Sequence, residues 1–410
     1  MLDYSQNPAS YDYRLQGFSL QELSEGINNG VRVYGYTDVN IGISYLELVF
    51  STGKLMDQNK AVSAILARLF SYLQISNGDT LFELLEFYGA KLSFEASSTH
   101  SSIKLYALSD DFEKIITEVN FALHHQKWDK ESFKHCQNTL SKDIKTRILE
   151  KKTVSDQSFN AHFYQGTNLG KPLLLTDIAA LTADDVIAKI KGLFEQLDFV
   201  MTVNLTDEQL DLSSFQFDNQ RTNVDCTFYS RDVKVFPKLN EEQSIIQSLV
   251  PLCSVKDDKY PLYYFYNQLL GGSFQSILSQ EIREKQGLTY GIHSSLLSVN
   301  HDCYLKINST TPYKKGNEVL MKIDEITANF ASFLNEEYLD QIKKISSASF
   351  LKNMENTFSQ LALQKNMLLS ELKPNFYSDL LEGIKDVTIK ELLEVNEELV
   401  YRDKLKIVVV

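Results

Sequence analysis

The chain lacks the features that mark membrane-spanning and secreted proteins. No stretch of its 410 residues approaches the ~18 consecutive apolar residues that a transmembrane helix requires. The first residues, Met1–Pro8, contain neither the basic nor the apolar region of a secretory signal. These absences argue against a membrane span and an export signal, and they favour a cytoplasmic location.

Cysteine is scarce and scattered. The four cysteines, Cys136, Cys226, Cys253 and Cys303, form no Cys-x-x-Cys pair. A disulfide framework or a thiol-rich metal site would need closely spaced pairs. We therefore expect idle thiols in a reducing compartment.

Histidine is also sparse, and its spacing predicts no metal site. No two of the seven histidines are three or four residues apart, and the adjacent His124 and His125 cannot share a helix face. No Ser/His/Asp nucleophile elbow and no phosphate-binding glycine loop stands out. Gly271-Gly272 is a lone pair that we interpret as a tight helix entry. The other histidines are His100, His135, His162, His293 and His301.

Basic residues are fewer than acidic residues. There are 54 acidic and 41 basic residues, which gives a formal net charge of -13. An acidic surface disfavours binding to nucleic acid and to anionic membranes, and it is compatible with basic peptides.

The two halves of the chain follow the same order of predicted elements: a strand, two helices, two strands and a helix. In the first half these are Ser44–Gly53, Ala61–Tyr72, Leu81–Tyr88, Lys91–Ala96, Ser101–Ala107 and Asp110–Leu123. In the second half they are Ser244–Leu252, Pro261–Leu270, Phe274–Lys285, Leu288–Leu296, Asp302–Ile307 and Lys314–Phe330. The aromatic cluster Tyr260–Tyr266 is predicted to be a core helix packed on the second sheet.

Two landmarks recur at a near-constant distance. Gly89 and Gly287, 198 residues apart, follow corresponding helices as left-handed caps. Thr182 and Thr388, 206 residues apart, are plausible helix N-caps with acidic residues in the first turn. We expect a duplicated α+β protein with domains at 1–212 and 226–410 and a polar linker near 205–225.

The most informative stretch is Leu269–Gly291, which predicts a helix, a glycine stop and the start of a strand. It places Arg283 before the stop and Tyr290 after it. This stretch resembles the second-half signature of the pitrilysin/insulinase zinc peptidases, the family that includes mitochondrial processing peptidase. The resemblance covers nearly the whole chain, from Asn28–Tyr34 through Phe50–Gly53 to this signature. It implies the fold of the mitochondrial processing peptidase-like metallohydrolases. In that fold, two homologous domains are each an α/β-roll, with a mixed, mostly antiparallel sheet of about six strands packed with helices.

The inverted zinc motif of that family, His-x-x-Glu-His, is missing. The stretch Ala64-Ile-Leu-Ala-Arg68 stands in its place, and there is no His or Glu from Ala61 to Thr80. The resemblance puts Ala64 and Arg68 at the positions of the His ligands and Ala67 at the position of the Glu. It puts Asp143 near the position of the third ligand. We therefore expect no cofactor in this chain, and we hypothesise that Arg68 pairs with Asp143; the alternative is an Arg68 that points to solvent.

The resemblance implies a role for Arg283 and Tyr290, which match the Arg and Tyr that work opposite zinc in the family. A guanidinium and a phenol can both donate hydrogen bonds to peptide oxygens. The chain is therefore expected to be the non-catalytic, substrate-binding subunit of a heterodimeric zinc metallopeptidase, inactive alone and acting on unfolded peptides. The zinc would belong to a sister subunit. From spacing alone, Arg283 could be a solvated helix residue and Tyr290 a strand-packing residue.

Other functions are compatible with the same fold. The chain could be a structural or scaffold member of the family, although a scaffold would not need Arg283 and Tyr290. It could also be a stand-alone peptide-binding homodimer. An active peptidase with an unrelated site has the least support, because the sequence shows no ligand set.

Overall fold

The computed structural model describes residues 20, 22–148, 150–206, 209–213, 215, 231–235, 243–299, 301–352, 354 and 356–409. Residues 22–206 belong to a first compact unit and residues 243–406 to a second. The predicted boundary between residues 212 and 226 lies mostly outside the described residues, as does Cys226. The two predicted domain ranges therefore stay predictions.

The first unit is built on a six-stranded mixed sheet. Its strands are β1 (Ser24–Asn28), β2 (Val31–Tyr36), β3 (Ile43–Phe50), β4 (Lys91–Ala96), β5 (Ser101–Leu108) and β6 (Leu197–Val203). They lie in the order β1-β2-β6-β3-β5-β4. The β2–β6 pair is parallel, and the other pairs are antiparallel.

Seven α-helices are described beside this sheet. They are α1 (Val62–Leu69), α2 (Leu81–Tyr88), α3 (Phe112–His125), α4 (Lys130–Arg147), α5 (Lys151–Phe163), α6 (Leu175–Ala180) and α7 (Ala183–Phe194). Short 3-10 turns occupy Lys54–Met56, Phe70–Tyr72 and Ser109–Asp111. Alternate strand residues such as Leu46 and Leu48 share one apolar core with helix residues such as Ile65 and Ile115. Burial of these helix faces holds the helices against the sheet.

The second sheet has five described strands. They are β7 (Arg231–Val235), β8 (Gln243–Ser254), β9 (Gly291–Val299), β10 (Asp302–Pro312) and β11 (Leu405–Val409). Their order is β7-β11-β8-β10-β9, and β10 pairs antiparallel with both β8 and β9. This order repeats that of the first sheet without β1. The repeated order confirms the predicted fold class.

The helices of the second unit include two π-helical turns. The α-helices are α8 (Tyr260–Asn267), α9 (Gly316–Ala328), α10 (Glu336–Lys352), α11 (Thr357–Leu369), α12 (Phe376–Asp386) and α13 (Ile389–Tyr401). The π-helical turns are Gln268–Gly272 and Ser279–Glu284, and a 3-10 turn covers Phe330–Phe333. Tyr263, Phe265 and Tyr266 are buried, and α8 contacts β8 and β9. The aromatic cluster is therefore a core helix, as predicted.

The predicted landmarks of the duplication are present. Gly89 and Gly287 both have φ near +60°, the left-handed conformation that glycine adopts without a side-chain clash. Thr182 and Thr388 each form a capping box, with Asp185 and Glu391 respectively. Local hydrogen bonding therefore starts α7 and α13 where the sequence predicts.

Three predictions in the second half are wrong in detail. The helix expected at Pro261–Leu270 leaves α-helical geometry after Asn267, and the helix expected at Phe274–Lys285 is a π-helical turn from Ser279. The strand expected at Leu288–Leu296 begins only at Gly291. Apolar periodicity does not separate a π-helical turn from an α-helix, because one extra residue per turn changes the pattern little.

Glycine is needed at position 271 for a different reason from the one predicted. It lies at the end of a π-helical turn, not at a helix entry. A Cβ there would lie 2.6 Å from the Ser294 Oγ and 2.8 Å from the Ser294 backbone N. The glycine therefore lets this turn pack directly on β9.

Within the described part of the chain, every helix is too short or too polar to cross a bilayer. The described cysteines, Cys136, Cys253 and Cys303, are free. Burial raises the pKa of Cys136 and Cys303 to about 11 and that of Cys253 to about 12. Because the thiolate is the reactive form, these thiols are unreactive at neutral pH.

Candidate functional site

The first candidate position is the outer face of α1, which carries Ala64, Ala67 and Arg68. Ala64 and Arg68 are one helical turn apart and half-buried, whereas Ala67 is exposed. The apolar residues Ile65, Leu66 and Leu69 anchor the opposite side of α1 in the core. The helix therefore holds this face in place while two of its three candidate positions carry only a methyl group.

Arg68 is held between two helices. Its Nη2 is 2.8 Å from the Asp143 Oδ2 on α4, and its Nη1 donates to the Ala64 carbonyl at 2.9 Å. The sequence hypothesis that Arg68 pairs with Asp143 is confirmed, and the solvent-pointing alternative is wrong. The assignment of these positions to a lost zinc site stays an inference from the family pattern.

The residues at this position do not fit zinc. Structural and catalytic zinc sites take at least three donors from Cys, His, Asp or Glu. Asp143 is one carboxylate, the two alanines have no donor, and a guanidinium is permanently cationic. The buried Cys136 on α4 is no substitute, because burial raises the pKa of its thiol to about 11 even though Arg68 opposes that shift. Across the described residues, no three His, Cys, Asp or Glu side chains group to hold a metal.

The second candidate position is the turn that ends at Gly287. In the first unit, the Ala90 N–H bonds to the Leu85 carbonyl, five residues back, at 2.9 Å. In the second unit, the Leu288 N–H bonds to the Ile282 carbonyl, six residues back, at 3.0 Å. Leu85 and Ile282 are both buried. Counted from this bond, the second copy contains one more residue than the first.

Arg283 is the first residue of this wider turn. It is half-buried, and its guanidinium carbon lies 4.7 Å from the centre of the Phe274 ring. Its Nε is 3.7 Å from the Glu284 Oε1, which is too long for a hydrogen bond. The guanidinium is thus positioned by an aromatic face, while its N–H donors make no hydrogen bond to any side chain in the described ranges.

Tyr290 projects from the bend just before β9. Its side chain is 60% exposed. Its backbone N–H donates to the Thr310 carbonyl at 2.9 Å. The Thr289 hydroxyl is within 2.8 Å of the Gly291 carbonyl, the Ser309 hydroxyl and the Thr310 carbonyl. These bonds fix the bend and leave the Tyr290 phenol free to contact a ligand.

The strand-packing alternative for Tyr290 is wrong, because the residue precedes the strand and is exposed. The structure brings Arg283 and Tyr290 to the two sides of one glycine turn. No hydrogen bond joins their side chains in the part of the chain that the structure covers. Both therefore keep donors available, as a substrate-binding role requires; that role stays a prediction.

Sequence reasoning missed two residues of this position. Phe274 is 68% exposed and supports Arg283 through its ring. Thr289 is buried and holds the bend. An exposed Phe nine residues before an Arg carries no periodic signal, because the intervening turn is irregular. Thr289 looked like an ordinary strand residue.

Comparisons with known proteins bear on the family resemblance. Residues 178–346 match the family model described as the Peptidase M16 inactive domain. Over this range the chain is similar to the M16 peptidases, the pitrilysin/insulinase family. The resemblance seen in the sequence is therefore confirmed, and the match is to a domain described as inactive.

Two individual relatives carry different descriptions. The chain is 24% identical to the "Non-peptidase homolog YmxG" of Helicobacter pylori, across 85% of this chain and 84% of that protein. It is 22% identical to the "Uncharacterized zinc protease YmxG" of Bacillus subtilis, across 63% and 68%. A solved M16 inactive domain from Pseudomonas fluorescens has a TM-score of 0.80 and 15% identity, and covers 95% of this chain and 98% of its own. The solved structure shows that this chain has the fold of an M16 inactive domain.

Proposed function

We propose that this M16-like chain is the substrate-binding, non-catalytic subunit of a heterodimeric zinc metallopeptidase. In this proposal a sister subunit carries the zinc motif, the pair cleaves unfolded peptides in the cytoplasm, and this chain is inactive alone. The observation that carries the proposal is the contrast between its two candidate positions. Arg68 is bound by Asp143 and the Ala64 carbonyl, whereas in the part of the chain that the structure describes the Arg283 and Tyr290 side chains make no hydrogen bond, and Arg283 has only a 3.7 Å ion pair to the neighbouring Glu284.

The surroundings of Tyr290 support binding of an extended peptide. β9 begins one residue after Tyr290 and lies at the edge of the sheet, paired on one side with β10. An edge strand offers backbone donors and acceptors to an added peptide strand. A peptide along β9 would bring its carbonyl oxygens close to the start of the strand, where the Tyr290 phenol and the Arg283 guanidinium can donate hydrogen bonds.

The chemistry proposed for Arg283 and Tyr290 is orientation. A charged donor held beside a scissile carbonyl positions the peptide and offsets the charge that develops on oxygen. The attacking water would be activated by the sister subunit, so every step assigned to this chain is binding and positioning.

The test is cleavage of a quenched fluorescent, unstructured peptide by the complex with a zinc-motif sister chain. Arg283→Ala should lower kcat/KM by about 10- to 100-fold, the effect of losing a hydrogen bond from a charged donor. Lys285→Ala is the matched control, because Lys285 is an exposed cation two residues after Arg283, paired with Glu281. It should leave kcat/KM within about twofold.

Assembly must be followed in the same samples by size-exclusion chromatography. Loss of activity with intact assembly supports the substrate-binding role. An Arg283→Ala complex that assembles and cleaves like the wild type would refute that role and favour the scaffold alternative. Cleavage by this chain alone would refute the non-catalytic assignment. Tight peptide binding by a homodimer without any sister chain would favour the stand-alone alternative.

A further inference from the structure

We infer that the Arg68 guanidinium is a built-in cation that takes the place of a metal ion as the bridge between α1 and α4. One guanidinium contacts both helices: Nη2 lies 2.8 Å from Asp143 Oδ2, and Nη1 lies 2.9 Å from the Ala64 carbonyl. The residues on this face do not fit zinc. The guanidinium therefore takes the place of the metal, and the link between α1 and α4 is kept. The inference does not depend on the proposed function.

The contacts show that three positions converge. Residues 64 and 68 lie on one face of α1, because they are four residues apart in a helix. Asp143 of α4 is within reach of the same face, because it binds the Arg68 side chain directly. Two donors at i and i+4 with a carboxylate from a second helix form a common zinc ligand arrangement. The backbone arrangement is thus present, and only the side chains on α1 lack donor atoms.

The position of Asp143 on α4 explains how the bridge is supported. Ser132, Cys136 and Leu140 form a buried stripe along α4 at spacings of four residues. Asp143 follows three residues after Leu140 on the same stripe, and α1 packs against α4. The side chains of Arg68 and Asp143 are 30% and 39% exposed. The ion pair therefore closes the seam between the two helices where it reaches solvent.

A guanidinium bridge responds differently from a metal bridge to pH, chelators and salt. Arg stays protonated throughout the pH range in which proteins are folded, so the bridge needs no metal supply. A chelator has nothing to remove from it. Salt weakens it, because a half-exposed ion pair is screened. The first unit should therefore be insensitive to chelators and moderately sensitive to salt.

The first experiment restores donors to the same face. We expect the Ala64→His/Arg68→His variant to bind one zinc ion per chain, measured by mass spectrometry of the desalted protein. Its thermal midpoint should rise with zinc and fall back with EDTA. Adding Asp143→Asn should weaken zinc binding by about tenfold or more, since even outer-shell partners contribute 10- to 100-fold.

The matched control is Ala67→His/Arg68→His, which places two histidines on different helix faces. It should gain no stoichiometric zinc. A folded Ala64→His/Arg68→His protein that takes up no more zinc than this control would overturn the inference, because the three positions would then not converge as the guanidinium contacts indicate. Far-ultraviolet circular dichroism verifies the fold of each variant.

The second experiment tests the bridge in the native chain. Arg68→Met and Asp143→Asn should each lower the thermal midpoint by about 1–2 °C in low salt, with a smaller loss in 1 M NaCl. The double variant should lose less than the sum of the two, because both changes remove one interaction. Additive losses would contradict the bridge. Stoichiometric zinc in the native chain, lost on Asp143→Asn, would contradict the replacement of the metal.

Discussion

At the scale of single residues, the side-chain contacts of Arg283, for which we propose a function, differ from those of Arg68. Arg68 donates to a carboxylate and a carbonyl, whereas Arg283 rests against an aromatic ring. Tyr290 differs from the buried tyrosines of α8 in the exposure of its side chain. Burial raises the pKa of Tyr260, Tyr263 and Tyr266, whereas Tyr290 is exposed. The two residues that match the family's Arg and Tyr are thus those whose side chains make no hydrogen bond within the described ranges.

Phe274 should act through Arg283. In the complex with the sister chain, Phe274→Leu should lower kcat/KM by about two- to fivefold, since an exposed cation–π contact contributes about 0.5–1 kcal/mol. The Phe274→Leu/Arg283→Ala double variant should be no worse than Arg283→Ala alone. Peptide-cleavage kinetics measure both values.

Phe87→Leu is the control for Phe274, because Phe87 is also exposed but lies in the first unit. It should leave kcat/KM unchanged. Additive effects of Phe274→Leu and Arg283→Ala would show instead that Phe274 contacts the peptide independently of the arginine.

At the scale of elements, local chemistry decided how well the sequence could be interpreted. Helices with clear caps were predicted closely: α2 at Leu81–Tyr88 has the predicted bounds, with a capping box at Thr80 and a left-handed Gly89 at its end. The turn at Ser279–Glu284 was misjudged, because its extra residue leaves no periodic trace. The bend at Thr289 was missed, because it depends on Ser309 and Thr310, which are distant in sequence.

The capping box of α13 gives a pH-dependent prediction. Hydrogen bonds from Thr388 hold the pKa of Glu391 below its usual value of 4.5. A lowered folded-state pKa contributes stability that is present above the unfolded pKa and is lost as the pH falls through the folded pKa. Thr388→Ala should therefore cost about 0.5–2 kcal/mol at pH 7 and less near pH 3.5.

Urea unfolding of the wild type and Thr388→Ala at both pH values measures this difference. Thr182→Ala is the matched variant in the first unit, where Thr182 likewise holds the pKa of Asp185 below its usual value. Both variants should behave alike. A cost for Thr388→Ala that stays the same at both pH values would show that the carboxylate does not take part in the cap.

At the scale of the whole molecule, the duplication is visible in topology more clearly than in sequence. Both sheets share one strand order, and in both units a helix with a capped N-terminus precedes a sheet strand near the end of the repeat. The sequence predicted this plan because its caps and glycine stops recur. The sequence could not show which contacts each candidate side chain makes. Such contacts join residues far apart in the chain, as between Arg68 and Asp143, which are 75 residues apart.

The net charge of -13 makes a prediction about ligands. A basic, unstructured peptide should bind more weakly as salt rises, because charge attraction is screened over about 10 Å at 0.1 M ionic strength. We expect a severalfold loss of affinity between 50 and 300 mM NaCl by fluorescence anisotropy. A neutral peptide of the same length is the control. An equal response of the two peptides would rule out a charge contribution.

The wide turn at Arg283 has a consequence for how the two repeats diverged. Each residue added to a helix rotates everything after it by about 100° around the axis, so an insertion can reorient a side chain that no substitution would move. Four residues separate Leu85 from Ala90, and five separate Ile282 from Leu288. Deleting Glu284 should return this turn to the geometry of the first repeat and abolish peptide cleavage by the complex while the protein still folds. Removal of one residue from this turn would therefore abolish the activity without unfolding the protein.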